Sequence, residues 1–426
     1  MGAMNHTVSL AVCVLLTVGS AVLPGTERAI TLHVVGSQTW EHSRHQGLRL
    51  AGAGEVTITS LWPAVDHVLH PISAPTNPWP ALREHLVPQV IASSLLQPAQ
   101  PLSLHIDGWE DGLTVSRDGL HLYAIYAPGD LLGYTLDGYP FEQMADYLRG
   151  PTLGMDLDAT VVIGVNTWLH GDILRSSRAS PTDPFPPWTL SNLAFPVTSE
   201  GAPAMTGATD DGWEWMVYTS NQTPPHHAAR IWLVAEQDHA LSAPGSPLPE
   251  PVNPPAHEPW QTDNPHLEQV DDGSLVLFFD SNRPGGPSDE LDIWYSRSTD
   301  DGSTWSEPAP VTTVNTPATD HQPHLWRDEH GQWWLWWSAT NPDDGRLAIY
   351  RARQVTPGDW DDWSARELVV SAGTAVGIGE PTLTDVGDLF FIVVIEDPNP
   401  GPAGRFMADP WWAPAQPSPG GASGDG

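Results

Sequence analysis

One local pattern recurs five times along the chain: an acidic residue, usually a proline soon after, a short apolar run, a Gly turn, then an aromatic-rich run. It reads "EDGLTVSRDGLHLYAIYA" from Glu110, "EGAPAMTGATDDGWEWMVYTS" from Glu200 and "DNPHLEQVDDGSLVLFFDS" from Asp263. Two more copies follow, "DHQPHLWRDEHGQWWLWWS" from Asp320 and "EPTLTDVGDLFFIVV" from Glu380. The last four begin about sixty residues apart, a period of repeat architectures. The first stands further off, and Leu131 to Gly150 reads as an insertion. Each glycine falls where a tight hairpin needs positive φ. Third strands follow in "LDIWYSRS", "RLAIYRAR" and "ARIWLVAE", and fourth strands in "SEPAPVTT" and "ARELVVSA". Repeated sets of four short antiparallel strands predict an all-β chain, a five-bladed β-propeller with six blades as the alternative.

The row Trp333, Trp334, Leu335, Trp336 and Trp337 supports strands. A helix would spread these rings around its circumference, whereas a strand sends alternate residues to opposite faces. Both faces are then apolar, so this strand must be covered on both sides, as between stacked sheets.

The chain is strongly acidic: Asp and Glu number 52 against 17 Lys and Arg, for a formal charge of −35, and there is no lysine. That field disfavours nucleic acid, which needs a cationic surface. Cations, basic proteins and neutral carbohydrates remain open as ligands. The apolar run from Val8 to Pro24 is too short for a membrane span and suits a signal peptide over 1–24, although no basic residue precedes it. The single cysteine, Cys13, lies within it, so a mature chain would have no disulfide. An exported protein, periplasmic or extracellular, with no membrane segment in the mature chain is expected. Residues 25–105 read as an irregular cap or partial blade, 106–412 as the propeller and 413–426 as a disordered tail. Gly54–Pro63 or Pro101–Ile106 could supply a strand that the last unit lacks.

From Asp263 onward the sequence resembles the WD-like repeats of TolB-type β-propellers. Asp263, Pro265, Asp272, Gly273, Phe278, Ser281, Arg283, Pro284, Gly285, Gly286, Asp292, Ile293 and Trp294 carry the match. The first unit fits the same hairpin, with Arg117 where that family usually has proline. The resemblance implies an exported propeller, often without assigned activity. Ser298 to Trp305 is similar to the Asp-box of sialidases and other propellers, a folding element in the turn between third and fourth strands. The arginine triad and tyrosine of a sialidase cannot be assigned.

The acids that open the units, Asp111, Glu200, Asp263, Asp320 and Glu380, are expected to ring one mouth of an axial channel, with His266, His324 and His321 nearby. Three roles compete for them. They bind backbone amides where the strands begin; or they hold a cation or polyol, since carboxylates suit hard cations and imidazoles transition metals; or they hydrolyse glycosides. The hairpin at Glu380 resembles the one that carries the catalytic glutamate in five-bladed glycosidases similar to arabinanases and xylosidases. That resemblance would make Glu380 or Glu200 the general acid and Asp111 the base, with an inverting pair about 6.5–9.5 Å apart. The sequence favours an exported module that binds a protein or carbohydrate ligand at the channel mouth, with a divalent cation as an optional ligand; a glycoside hydrolase is the alternative. Two carboxyls converging in a pocket, one with a raised pKa, would mark the enzyme.

Overall fold

A computed structural model describes residues 31–33, 55–57, 79–132, 150–151, 153, 155, 171–195, 198–206, 214–221, 229–237, 240–241, 245–255, 257–288, 291–401 and 404–417. The expected signal peptide, most of the expected insertion, nearly all of the region before Trp79 and the end of the expected tail lie outside them. The chain divides into two compact units, Met1–Thr76 and Asn77–Gly426. In the first, β1 (Thr31–His33) pairs antiparallel with β2 (Glu55–Thr57).

Among its described residues the second unit is all-β apart from a short helix, Trp79–Arg83, and a helical start at Leu131 and Leu132. It opens with two short strands, β3 (Gln89–Val90) and β4 (Gln100–Pro101). Five antiparallel sets follow in chain order. The first is β5 (Trp109–Val115), β6 (His121–Ala127), β7 (Asp172–Ser177) and β8 (Thr189–Leu190). The second is β9 (Glu200–Met205), β10 (Glu214–Ser220) and β11 (Arg230–Gln237), with β12 (Ala240–Leu241) and β13 (Ser246–Pro247) both on β11. The third is β14 (Thr262–Gln269), β15 (Leu275–Ser281), β16 (Asp292–Ser298) and β17 (Ala309–Pro310). The fourth is β18 (Asp320–Arg327), β19 (Trp333–Thr340), β20 (Leu347–Arg353) and β21 (Glu367–Ser371), with β3 on its outer edge. The fifth is β22 (Gly377–Leu383), β23 (Leu389–Gly401) and β24 (Gly404–Ala413), and β4 takes its outer edge through Trp411 and Trp412. Among the described residues no sheet closes on itself, although the parallel bridge from Ala408 to Trp109 links the fifth set to the first.

The tryptophan row divides as alternation requires. Trp333, Leu335 and Trp337 pack with Val276, Phe278 and Ile293 of the third set. Trp336 packs from the other face with Ile378, Phe391 and Val393 of the fifth. Truncating a ring as buried as Trp337 to alanine costs about 3–5 kcal/mol. In the turn after β16, Ser298 and Asp300 bond the backbone of Gly302 and Thr304, and the buried Trp305 donates to the Gly302 carbonyl.

The first strands of the five sets contact one another in a cycle: β5 against β9, β9 against β14, β14 against β18, β18 against β22, and β22 against β5. Each loses register with its second strand at a bulge. There the backbone turns to positive φ, at Gly112 (53°), Ala202 (44°), Asn264 (45°), Gln322 (57°) and Glu380 (56°). A left-handed conformation costs a side-chain-bearing residue about 1–2 kcal/mol. Four consecutive sets carry that strain, and such strain gathers at functional sites.

Candidate active site

The bulges show that the five unit-opening acids do not form one ring. Glu200 and Asp320 lie two residues before the positive-φ position, as does Glu110. All three are fully buried and anchor the loop leading into their own strand. Glu110 accepts from the Ile106 N–H and the Trp188 indole, at 3.1 and 2.5 Å. Glu200 accepts from the Phe195 N–H and the Ser220 hydroxyl, at 3.2 and 2.9 Å. Asp320 accepts from the Thr316 N–H and hydroxyl and from the Trp337 indole, at 2.6, 2.7 and 3.0 Å. Their lone pairs serve local structure.

Asp111 and Asp263 stand one residue before the positive-φ position, and Glu380 occupies it. A one-residue step reverses the face of a strand side chain, so Asp111 and Asp263 point away from the anchoring acids, and the bulge at Glu380 re-aims its side chain. They retain some exposure and come together from the first, third and fifth sets. The Trp109 indole donates to Asp111 Oδ2 at 2.9 Å. The Asn264 N–H donates to Asp263 Oδ1 at 2.8 Å. Gln322 Nε2 donates to Glu380 Oε1 at 2.6 Å.

A fourth carboxyl, Asp280, joins them from the second strand β15, directly opposite Asp263. Its Oδ2 accepts from Asn264 Nδ2 at 2.7 Å and from the Gln322 N–H at 3.1 Å. Sequence reading missed this residue; the cross-strand register that places it beside Asp263 is a property of the folded hairpin.

Mutual repulsion and burial govern the protons. Burial raises Glu380 well above the ordinary glutamate range, and the charges of Asp111, Asp280 and Asp263 push it further. Burial also raises Asp111, against the pull of the Trp109 indole, and raises Asp263. Burial and the Asp263 charge bring Asp280 to about 7. The cluster therefore holds a glutamate that keeps its proton to higher pH than an ordinary one, beside aspartates that are raised as well.

The expected histidines separate. His321 matches Asp111 and Asp263 in register; its ring is buried enough to titrate at about 4. His266 and His324 lie further along their strands, with ring centroids 4.2 Å apart. Between them and Glu380 is a cavity of about 30 Å³, also lined by Pro265, Pro323 and Pro381. That is room for one or two waters. His266 meets Glu268 at 3.2 Å, Arg117 pairs with Glu268 at 2.5 Å, and His324 Nε2 accepts from the Leu383 N–H at 3.2 Å. Among the described residues, no three His, Cys, Asp or Glu side chains are grouped to hold a metal ion.

No protein-family model matches the sequence, and no curated protein is similar to it. Solved structures with a similar chain course include an endo-arabinase from Bacteroides thetaiotaomicron, 14% identical, covering 75% of this chain and 98% of that one, with a TM-score of 0.44. An α-L-arabinofuranosidase from Podospora anserina is 10% identical, with coverages of 75% and 97% and a TM-score of 0.45. A protein of unknown function from Dyadobacter fermentans is 10% identical, with coverages of 76% and 100% and a TM-score of 0.42.

The expectation of a non-catalytic binding module is corrected here. A scaffold role accounts for Glu110, Glu200 and Asp320, which spend their oxygens on local donors. It does not account for Asp111, Asp263, Asp280 and Glu380, where burial and the charges of the three aspartates raise the Glu380 carboxyl well above its ordinary range. That convergence is the mark of an acid–base site.

Proposed function

We propose that this protein is a glycoside hydrolase, exported from the cell and built as a five-bladed β-propeller whose blades are the five strand sets. The cycle of first strands supports the propeller, with the site at the end where those strands begin. The observation that carries the hydrolase reading is the raised Glu380 carboxyl among three aspartates. Glu380 is the general acid: it donates its proton to the glycosidic oxygen as the C–O bond breaks, and leaves as carboxylate. Positive charge develops on the sugar ring, and ionised carboxylates stabilise it.

The charges of Asp111, Asp280 and Asp263 favour a protonated Glu380. Asp111, the base that the resemblance implies, accepts the proton of the attacking water, with Asp263 as the alternative base. A site of four carboxyls in a chain of charge −35 repels uronates and sulfated sugars, so a neutral glycoside is the substrate class.

Hydrolysis of a panel of neutral aryl glycosides by the purified chain tests this. Release of the aryl alcohol, reduced at least about a hundredfold in Glu380→Gln, supports general acid catalysis. Azide restoring turnover to one of Asp111→Asn and Asp263→Asn, but not to the other, would place the base. A well-folded chain that cleaves none of the panel, and no neutral oligosaccharide, would sink the reading.

A further inference from the structure

The candidate acid and base stand on opposite lips of one seam, Glu380 in the fifth set and Asp111 in the first. Several ties cross this seam: Ala408 bridges to Trp109, and the Arg405 and Phe406 N–H groups donate to Asp130. One further tie comes from outside the five sets and carries charge. Arg83 ends the short helix whose Trp79 is buried against Ile395 and Met407 of the fifth set. Its side chain is only 9% exposed and touches both lips. Nε and Nη2 donate to Asp409 Oδ2 and Oδ1 at 2.5 and 3.0 Å, and Nη2 stands 3.7 Å from Asp107 Oδ1. A two-point contact with a carboxylate fixes direction as well as distance. The chain that follows is stitched outward, the Ile91 N–H to the Val369 carbonyl of the fourth set and the Leu102 N–H to the Pro410 carbonyl of the fifth.

Each lip leads directly to the site. From Asp409 the cross-strand row runs through Val393 to Ile378, two residues before Glu380. On the other lip Asp107 precedes Asp111 by four residues, and the Trp109 indole between them donates to Asp111 Oδ2 at 2.9 Å. We propose that Arg83 is a positioning residue: it clasps the fifth set to the first, and the clasp sets the spacing of Glu380 and Asp111. The effect on turnover rests on the hydrolase reading; the clasp does not. Neutralising Asp409 alone would not call for contact with a second carboxylate across the seam. Glu110 and His105 also face Asp409, and burial and the Asp409 charge raise the Glu110 carboxyl well above its ordinary range. Without the arginine, carboxylates on the two lips push each other apart. Parting the lips misplaces acid and base, which slows the chemical step more than it weakens binding.

The test is hydrogen exchange of the full chain, followed at the seam strands Trp109–Val115 and Gly404–Ala413 and, as a control, at Leu275–Ser281 of the third set. Arg83→Gln is expected to speed exchange at the seam by about tenfold or more and to leave the control unchanged. Where a glycoside is cleaved, kcat should fall about tenfold with KM little changed, and Arg83→Lys should recover part of both losses. Arg83→Met combined with Asp409→Asn strands no charge, so it should stay folded with the seam still loosened. Unchanged seam exchange in either folded variant overturns the proposal. Equally fast exchange in the control strand does so too, since it marks a general loss of stability. A loosened seam with wild-type kcat overturns it, as does failure of both variants to fold, which would make Arg83 purely structural. A loosened seam in a chain that cleaves no glycoside supports the clasp and refutes the hydrolase reading alone.

Discussion

Gln322 and Glu380 hold each other twice: Gln322 Nε2 donates to Glu380 Oε1 at 2.6 Å, and the Glu380 N–H donates to Gln322 Oε1 at 3.2 Å. Both residues have positive φ and they come from neighbouring strand sets. The amide therefore fixes the direction of the acid. Gln322→Ala should lower kcat by about 10–100-fold with KM little changed, since an ångström of misplacement costs roughly that much. Steady-state kinetics on a cleaved glycoside decide it; a loss confined to KM would make Gln322 a substrate contact instead. Gly379→Ala should act similarly, because a Cβ there would sit 2.6 Å from Gln322 Oε1.

Asp320 belongs to the anchoring acids. Asp320→Ala leaves the Thr316 N–H and the buried Trp337 indole without their acceptor. Each lost partner costs about 1–3 kcal/mol. The melting temperature should fall by several degrees while turnover per folded molecule stays near wild type. Loss of turnover at unchanged stability would move Asp320 into the site.

Arg117 ties three sets together beyond the cavity. It pairs with the buried Glu268 of the third and faces Asp385 of the fifth, whose N–H donates to the Arg117 carbonyl at 2.8 Å. Arg117→Ala strands the Glu268 charge and should cost about 3–5 kcal/mol. Adding Glu268→Gln should return part of that loss, and denaturant unfolding of the single and double variants measures it. Equal stability of the two would show that the pair is not coupled.

His321 gives stability a pH dependence of known sign. Its folded value of about 4 lies below the ordinary 6.5, so the unfolded chain binds its proton more readily. The contribution is complete above about 6.5 and is lost as pH falls toward 4. Relative to His321→Gln, wild type should therefore lose stability over that interval, by up to about 3 kcal/mol. Parallel melting curves at pH 7.5 and 4.5 would reveal it, and equal shifts in both proteins would exclude it.

The repeat, the strand class and the two-sided burial of the tryptophan row could all be read from the residues, because hydrophobic alternation and glycine turns act locally. The site was only half legible. Lining the units up on their acids hid the fact that those acids stand at different steps before the bulge. The prolines mark the register: Pro203 and Pro323 follow Glu200 and Asp320 by three residues, Pro265 follows Asp263 by two, and Pro381 directly follows Glu380. Aligned on proline, Glu200 and Asp320 fall into one class and leave the site. Asp280 stayed hidden because its place depends on which residue faces it across the hairpin.

The recurring bulge has a consequence for how such a site can change. Every set offers the same two outlooks, the kinked residue and the one before it, and the scaffold asks little of either side chain. Glycine, alanine, asparagine, glutamine and glutamate all occupy the kink in this one chain. The ring is thus a board of interchangeable seats, and single substitutions could move an acid, an amide or a vacancy from one seat to the next. The side chains presented there can change while the strands that hold them stay as they are.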